Sequence, residues 1–366
     1  MLTLFIMCPG LGHIGRGYES FTREQFDILK DTKDYDMHLF KGAGNSDEKE
    51  HAVFCLKRTG RLTKMLSKIT GLEPYAIEQL TFAIASIPWL IRKKPEVILY
   101  SDFIFGVYLW HIRKFLNFKY KLLFTNGAPN GPPYTRCDHV QQLLPSLFKL
   151  GIDAGEPASR FTLLPLGAHV SKNFNWPSAG QKSEWKTELG LPDNKKIIIS
   201  VGAINSHHKR MDYLVREFSR LPSEDFFLLV LGNLEEKSSE IMDLARTVLP
   251  ESSYSIRTVP FSDIPKFYLC ADVFSLCSLT EGFGRVYLEA LMFGLPVFAH
   301  DYAISREVMK EMGIYVDMAV DGALSDAIMA KQPEVYTKEQ KREFVFREYD
   351  WSVLKGRYED MIRKVS

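Results

Sequence analysis

No window of this 366-residue sequence holds 18 uninterrupted apolar residues, so no membrane-spanning helix is expected. Charge of one sign is lacking too. The chain carries 46 Lys and Arg against 45 Asp and Glu, so nothing points to nucleic acid as the main partner. Cysteine is sparse: Cys8, Cys55, Cys137, Cys270 and Cys277 have no paired spacing and form no C-x-x-C. Several lie in apolar runs, as buried free thiols do in a reducing, cytoplasmic compartment. The opening Met1-Leu2-Thr3-Leu4-Phe5-Ile6 has no basic region and reads as a first strand, not a signal peptide. The sequence has no internal repeat and no low-complexity segment. His207-His208 share no helical face and have no evident third ligand, so no metal is expected.

What is present is globular: 46% hydrophobic and 25% charged residues, in a chain long enough for two cores. Residues 1–170 hold 21 basic and 16 acidic side chains, and the remainder 25 and 29, a mild bias toward an acidic partner for the first half. Short apolar runs alternate with helical patterns. Strands are expected at Leu2–Met7, Met37–Phe40, Val97–Tyr100, Leu122–Thr125 and Phe161–Leu164. A second series comprises Ile197–Val201, Phe227–Leu231, Ser255–Val259, Val273–Leu276, Pro296–Ala299 and Ile314–Val316. This βαβα rhythm implies an α/β chain with parallel sheets covered on both faces. It pauses over Gly167–Gln181, so two doubly wound domains are expected, 1–170 and 171–345. Thr337 to Val365 reads as wholly helical.

The densest signal is Thr280-Glu281-Gly282-Phe283-Gly284-Arg285-Val286-Tyr287-Leu288-Glu289-Ala290. The glycines and the apolar period after them place a helix start near Gly284. Free N–H groups and the positive dipole end make such a start an anion site. A carboxylate suits hydroxyls rather than phosphate. Glu281 before the helix and Glu289 within it, roughly 8 Å along the axis, would flank the anion with two hydroxyl acceptors. A nucleotide-sugar has that layout; an ordinary loop–helix junction with surface glutamates is the blander alternative. Strand Ile197–Val201 likewise runs into Gly202-Ala203-Ile204-Asn205-Ser206-His207-His208-Lys209-Arg210-Met211-Asp212 and a helix. Both loops follow strand ends, where open α/β sheets gather ligands.

These motifs, with Ala271-Asp272-Val273-Phe274 and Gly294-x-Pro296-Val297, resemble glycosyltransferase family 4 in order and content. The resemblance covers the second half. It implies the GT-B fold, two Rossmann-like domains facing a cleft, with segment 346–366 crossing back to the first domain. Pro165-x-Gly167 and Trp351 fit it. It implies a retaining transfer of sugar from a nucleotide-diphospho-sugar to a hydroxyl of a glycan, lipid or small-molecule acceptor, with no cofactor beyond the donor. Glu281 would touch the donor sugar, Gly282, Phe283 and Gly284 would hold the diphosphate by their amides, and Glu289 would bind the ribose. Lys209 would neutralise phosphate. The family's Arg after the strand glycine, Gly202, is Ala203 here; Arg210 or Arg285 would substitute. An epimerase, a phosphorylase or a non-catalytic sugar-nucleotide-binding subunit of the same fold remain alternatives.

The first strand leads into Pro9-Gly10-Leu11-Gly12-His13-Ile14-Gly15-Arg16-Gly17. That satisfies G-x-G-x-x-G, but an NAD(P)-dependent oxidoreductase also needs an acid ending the second strand, and Leu39-Phe40-Lys41-Gly42 has none. The resemblance instead makes Gly12, His13, Gly15 and Arg16 the lining where acceptor and donor phosphate meet, with His13 a base or a polar lining residue. Relatives often carry a His where this chain has Asn126, which cannot take a proton at neutral pH. Asp102 suits either a helix cap or an acceptor contact. Segments 75–94 and 110–121 mix aromatic and basic residues, which suits peripheral membrane contact or packed helices with snorkelling lysines.

Overall fold

The structure, a computed structural model, describes residues 1–15, 17–128, 130–235, 237–330 and 335–366. The chain divides into two compact units. One comprises Met1–His169 with Trp351–Ser366, and the other Val170–Asp350. Each is a Rossmann-like parallel sheet wrapped by helices.

The first sheet contains β1 (Leu2–Cys8), β2 (Tyr35–Lys41), β3 (Glu50–Ala52), β4 (Val97–Tyr100), β5 (Lys121–Thr125), β6 (His139–Gln142) and β7 (Phe161–Leu163). Their order is β3-β2-β1-β4-β5-β6-β7, and every pairing is parallel. The central strands are apolar on both faces because helices cover both, so β4 is buried along its whole length. Two strands carry no apolar run. β3 is a three-residue edge strand with a charged start, held by Lys41 and Arg23 on Glu50. β6, His139-Val140-Gln141-Gln142, is buried yet mostly polar, with His139 on the Thr162 hydroxyl and the Gln141 amide fully bonded inside. Gln141 donates to the Leu164 carbonyl at 2.9 Å and the Tyr358 hydroxyl at 2.8 Å, and accepts from Thr125 at 2.8 Å.

The second sheet contains β8 (Lys196–Val201), β9 (Phe226–Leu231), β10 (Tyr254–Arg257), β11 (Val273–Leu276), β12 (Val297–His300) and β13 (Gly313–Val316), ordered β10-β9-β8-β11-β12-β13 and again wholly parallel. Chain order reverses between β8 and β11. The carboxyl ends of these neighbours therefore bound the switch-point crevice of this unit.

Thr337 to Val365 is not one helix. Helices Lys338–Tyr349 and Trp351–Val365 are separated by Asp350, which is extended at ψ 139°. The Asp350 carboxylate accepts from the Val170 N–H at 2.9 Å, while the Trp351 N–H turns to the Ala168 carbonyl at 3.1 Å. The last helix belongs to the first unit. Its Trp351 stacks on Phe21 at 5.8 Å and lies flat over Gly167, where a Cβ would meet the indole at 2.4 Å.

Candidate functional site

The loop after β8 is built on Asn205. Its buried Oδ1 accepts the N–H groups of His208 at 3.0 Å and Lys209 at 2.8 Å, and its Nδ2 donates to Glu235 at 2.9 Å. That turn aims the Lys209 stem across Gly202, where a Cβ would stand 3.4 Å from Lys209 Cε.

The loop after β11 ends at Gly284, whose φ of 79° and ψ of 52° are left-handed. A Cβ there would lie 2.4 Å from the Tyr287 ring. Glycine is required both for the dihedral and for the space. The helix Arg285–Met292 starts immediately after it; the Tyr287 N–H is tied to the Gly284 carbonyl at 2.9 Å, and the N–H groups before it in the first turn have no helical carbonyl to reach. Phe283 is buried edge-on against Tyr349 at 6.0 Å, which anchors the turn. Arg285 is the first helical residue and half-buried.

The two loops meet at the switch point. Lys209 Nζ lies 2.5 Å from Glu281 Oε1, with side chains 15% and 7% exposed. Across 72 residues of sequence, the structure joins a cation suited to phosphate and a carboxylate suited to hydroxyls. Glu289 stands on the helix itself, where the buried Tyr268 hydroxyl donates to its Oε2 at 3.1 Å. Burial, then the adjacent Glu289 charge, raises the Tyr268 pKa well above the ordinary phenol value, so it remains a donor. Arg210 is not brought to the pair. Its guanidinium donates to the Met318 carbonyl at 2.6 Å and sits 4.4 Å from the Tyr213 ring. The residue is left-handed at φ 49°, which turns the two adjacent cations apart.

In the first unit, the loop after β1 packs on the end of β2. Gly12 has φ 95°, and a Cβ on it would fall 2.2 Å from the Ala43 carbonyl oxygen. Gly15 is exposed in the same loop, and Arg16 lies outside the described residues. His13 Nε2 is 2.8 Å from Glu78 Oε1, and Glu78 also accepts from Arg58. Burial would raise the Glu78 carboxyl, but bonds from Arg58 and His13 outweigh it and hold its pKa below the usual value. The Glu78 carboxylate accepts the Nε2–H of His13, and the other ring nitrogen, Nδ1, is buried and has no partner. Among the described residues, His13, Cys55 and Glu78 form one group of metal-type ligands. Arg58 already occupies that carboxylate, and the Cys55 thiol faces the Gly42 carbonyl at 3.7 Å, so the group is an ion-pair network.

Other residues settle locally. Asn126 is fully buried, donating to Asn130, Tyr134 and Gln142 and accepting from the Asn130 N–H at 3.1 Å, so both ends of its amide serve the loop. Asp102 caps the helix Phe103–Phe115 by accepting from the Phe105 N–H at 3.2 Å. β2 ends in Lys41, bonded to Glu50 at 2.5 Å, so a cation stands where a dinucleotide-binding chain needs an acid. The aromatic residues of segments 75–94 and 110–121 pack largely inward, except Phe115, which is 89% exposed. Trp89 stacks on His51 at 4.2 Å, and Tyr120 is buried with its hydroxyl on the Leu109 carbonyl. No helix among the described residues is long and apolar enough to cross a membrane.

The family model for glycosyl transferases group 1 matches residues 181–343, which contain both loops and both glutamates. That matched segment, a little under half of the chain, is similar to group 1 glycosyltransferases. The chain is 25% identical over 175 residues to alpha-monoglucosyldiacylglycerol synthase of Streptococcus pneumoniae, covering 46% of this chain and 40% of that one. The chain spans about half the length, or less, of the curated relatives it matches. Sucrose-phosphate synthase from Thermosynechococcus elongatus shares its fold with a TM-score of 0.80 at 18% identity, covering 100% of this chain and 99% of that one. HepE of Anabaena, solved with UDP and glucose, gives 0.75 at 14%, covering 99% and 100%. The fold is GT-B.

Asn205 and Tyr268 are the positioning residues that sequence reasoning missed. An Asn ahead of a turn that presents cations is a usable signal for the first. For the second, nothing local links Tyr268 to a glutamate 21 residues away.

Proposed function

We propose that this protein transfers a sugar, with retention of anomeric configuration, from a nucleotide-diphospho-sugar to a hydroxyl of a glycan, lipid or small-molecule acceptor. The single observation that carries this reading is the Lys209–Glu281 pair beside the Gly284 helix start, at the switch point of the second sheet. Lys209 and the amides of Gly282, Phe283 and Gly284 would hold the diphosphate, Glu289 the ribose, and Glu281 the donor sugar. HepE, which was solved with UDP and glucose, supports a donor of this kind.

In the reaction, the acceptor oxygen bonds to the anomeric carbon on the face from which the diphosphate leaves. The carbon–phosphate-oxygen bond breaks, and the acceptor proton passes to a phosphate oxygen. The protein's contribution is fixed positive potential where charge develops on the leaving group. His13 Nδ1, buried and without a partner, would give the first unit a hydrogen-bonding atom for an acceptor hydroxyl. Relatives name a diacylglycerol lipid and an O-antigen glycan pathway, so both acceptor classes belong in the test.

Incubation with UDP-, GDP- and ADP-sugars, followed by proton NMR of the released or transferred sugar, tests the proposal. The expected first product keeps the donor's anomeric configuration. An inverted product would overturn the retaining mechanism, and no consumption of any donor would overturn the transferase reading in favour of a binding subunit.

A further inference from the structure

The helix Arg61–Thr70 is turned inside out. A helix on a water-soluble surface faces its apolar stripe inward. Here the one fully buried residue is Thr63, with its hydroxyl on the Lys57 carbonyl at 2.8 Å, and Leu66 and Ser67 beside it are half-buried. Leu62, Met65 and Ile69 point outward, 52%, 52% and 73% exposed, and Leu72 beyond the C-cap is exposed as well. At 100° per residue those three side chains fall within roughly 60° of one another, and Arg61, Lys64 and Lys68 fill a neighbouring arc of roughly the same width.

The charge is of one sign. From Val53 to Leu72 the sequence has five cations and no acid. Arg58 is held by Glu78, whereas Lys57, Arg61, Lys64 and Lys68 form no ion pair among the described residues. Lysines flanking an outward apolar stripe match an anionic bilayer, where side chains such as Met65 and Ile69 enter the acyl boundary and the cations reach lipid phosphates. A second copy of the chain fits worse. A two-fold interface would set these cations against the same cations.

We propose that the helix Arg61–Thr70 docks this protein on the surface of an anionic lipid bilayer. In the aromatic-basic segments farther along the first unit, Trp89 and Tyr120 pack inward while Phe115 is left 89% exposed and Ile91 56%; the helix Arg61–Thr70 is the contact proposed because its exposed apolar side chains form one stripe beside its cations. The proposal does not depend on sugar transfer, because docking needs neither donor nor turnover.

The test is sedimentation of the full chain with vesicles of phosphatidylcholine containing about a third phosphatidylglycerol, against phosphatidylcholine alone. Tight binding to the anionic vesicles, weakened by salt, is expected. The double variant K64Q/K68Q should bind about thirtyfold more weakly, taking the typical contribution of each cation near such a surface. M65E/I69E should abolish binding. Both pairs are exposed, so an unchanged melting temperature controls for folding. Absence of binding to anionic vesicles would overturn the proposal, as would binding that M65E/I69E leaves intact. A dimer in solution that M65E/I69E dissociates, without vesicle binding, would assign the face to a second copy.

Discussion

Replacing Glu281 with Gln should tighten the binding of a nucleoside diphosphate while slowing sugar transfer. In the free protein the Lys209 ammonium is already engaged, 2.5 Å from Glu281 in a site that leaves the carboxylate 7% exposed. Such a charge-assisted bond contributes roughly 1.5–3 kcal/mol, and a diphosphate must share or exchange it. A phosphate oxygen on the far side of the ammonium would sit about 5–6 Å from Glu281, two hydrogen-bond lengths. At that separation and an effective dielectric near 20, two unit charges repel by roughly 3 kcal/mol, an upper figure because Lys209 lies between them. Glutamine keeps the shape and removes the anion, so a net gain of about 1 kcal/mol, near fivefold in Kd, is expected. Lys209→Met should weaken the same ligand about thirtyfold, a loss of roughly 2 kcal/mol, and the parent nucleoside far less. Isothermal titration calorimetry of the two single variants and the double variant gives the full cycle. A tenfold weaker Kd for Glu281→Gln would refute the reasoning. So would equal losses of diphosphate and nucleoside on Lys209→Met.

Gly284→Ala places a side chain at φ 79° and 2.4 Å from the Tyr287 ring. The left-handed backbone and the overlap together should cost roughly 2–4 kcal/mol and lower the melting temperature by about 10 °C; an unchanged melting curve would show that the turn relaxes. Asn205→Ala should loosen the turn that aims Lys209, raising the diphosphate Kd while leaving nucleoside binding unchanged, which titration of both ligands checks. Burial, then the His38 charge, holds the His51 imidazole down to about 4 from an ordinary 6.5. The native state therefore takes up this proton later than the unfolded chain, and the contribution is intact above about 6.5 and lost as pH falls toward about 4. His51→Phe, beside Phe40 and Trp89, should flatten the fall of the urea midpoint between pH 6.5 and pH 4, and an identical slope would remove His51 from the account.

The fold was legible where covering helices force unbroken apolar strands, as in Leu4-Phe5-Ile6-Met7 and Ile197-Ile198-Ile199. It was illegible in β6, where the Gln141 amide is buried because Thr125, Leu164 and Tyr358 satisfy it, and the Gln142 carbonyl oxygen is bonded by Asn126. The break at Asp350 depends on Val170 and Ala168, both remote in sequence, so periodicity ran straight through it. At the site, Gly282-Phe283-Gly284 announced a helix start because that geometry is local. The closure of Lys209 on Glu281 is tertiary; only their shared position after strand ends hinted at it. Arg210 looked equivalent to Lys209 in sequence, and one left-handed residue sends its guanidinium to Met318 instead. Periodicity found no outward face in Arg61–Thr70 either, because it cannot tell which side of a helix is buried; Thr63 decides that.

The central claim is that a nucleoside diphosphate binds at the switch point of the second sheet, with Glu289 on the ribose. Thermal shifts of the full chain against UDP, GDP and ADP and their nucleosides, with and without Glu289→Ala, test it most directly. One diphosphate should raise the melting temperature by several degrees, clearly more than its nucleoside, and Glu289→Ala should lose most of that rise. No shift from any nucleotide, or a variant that responds as the parent does, would contradict the claim.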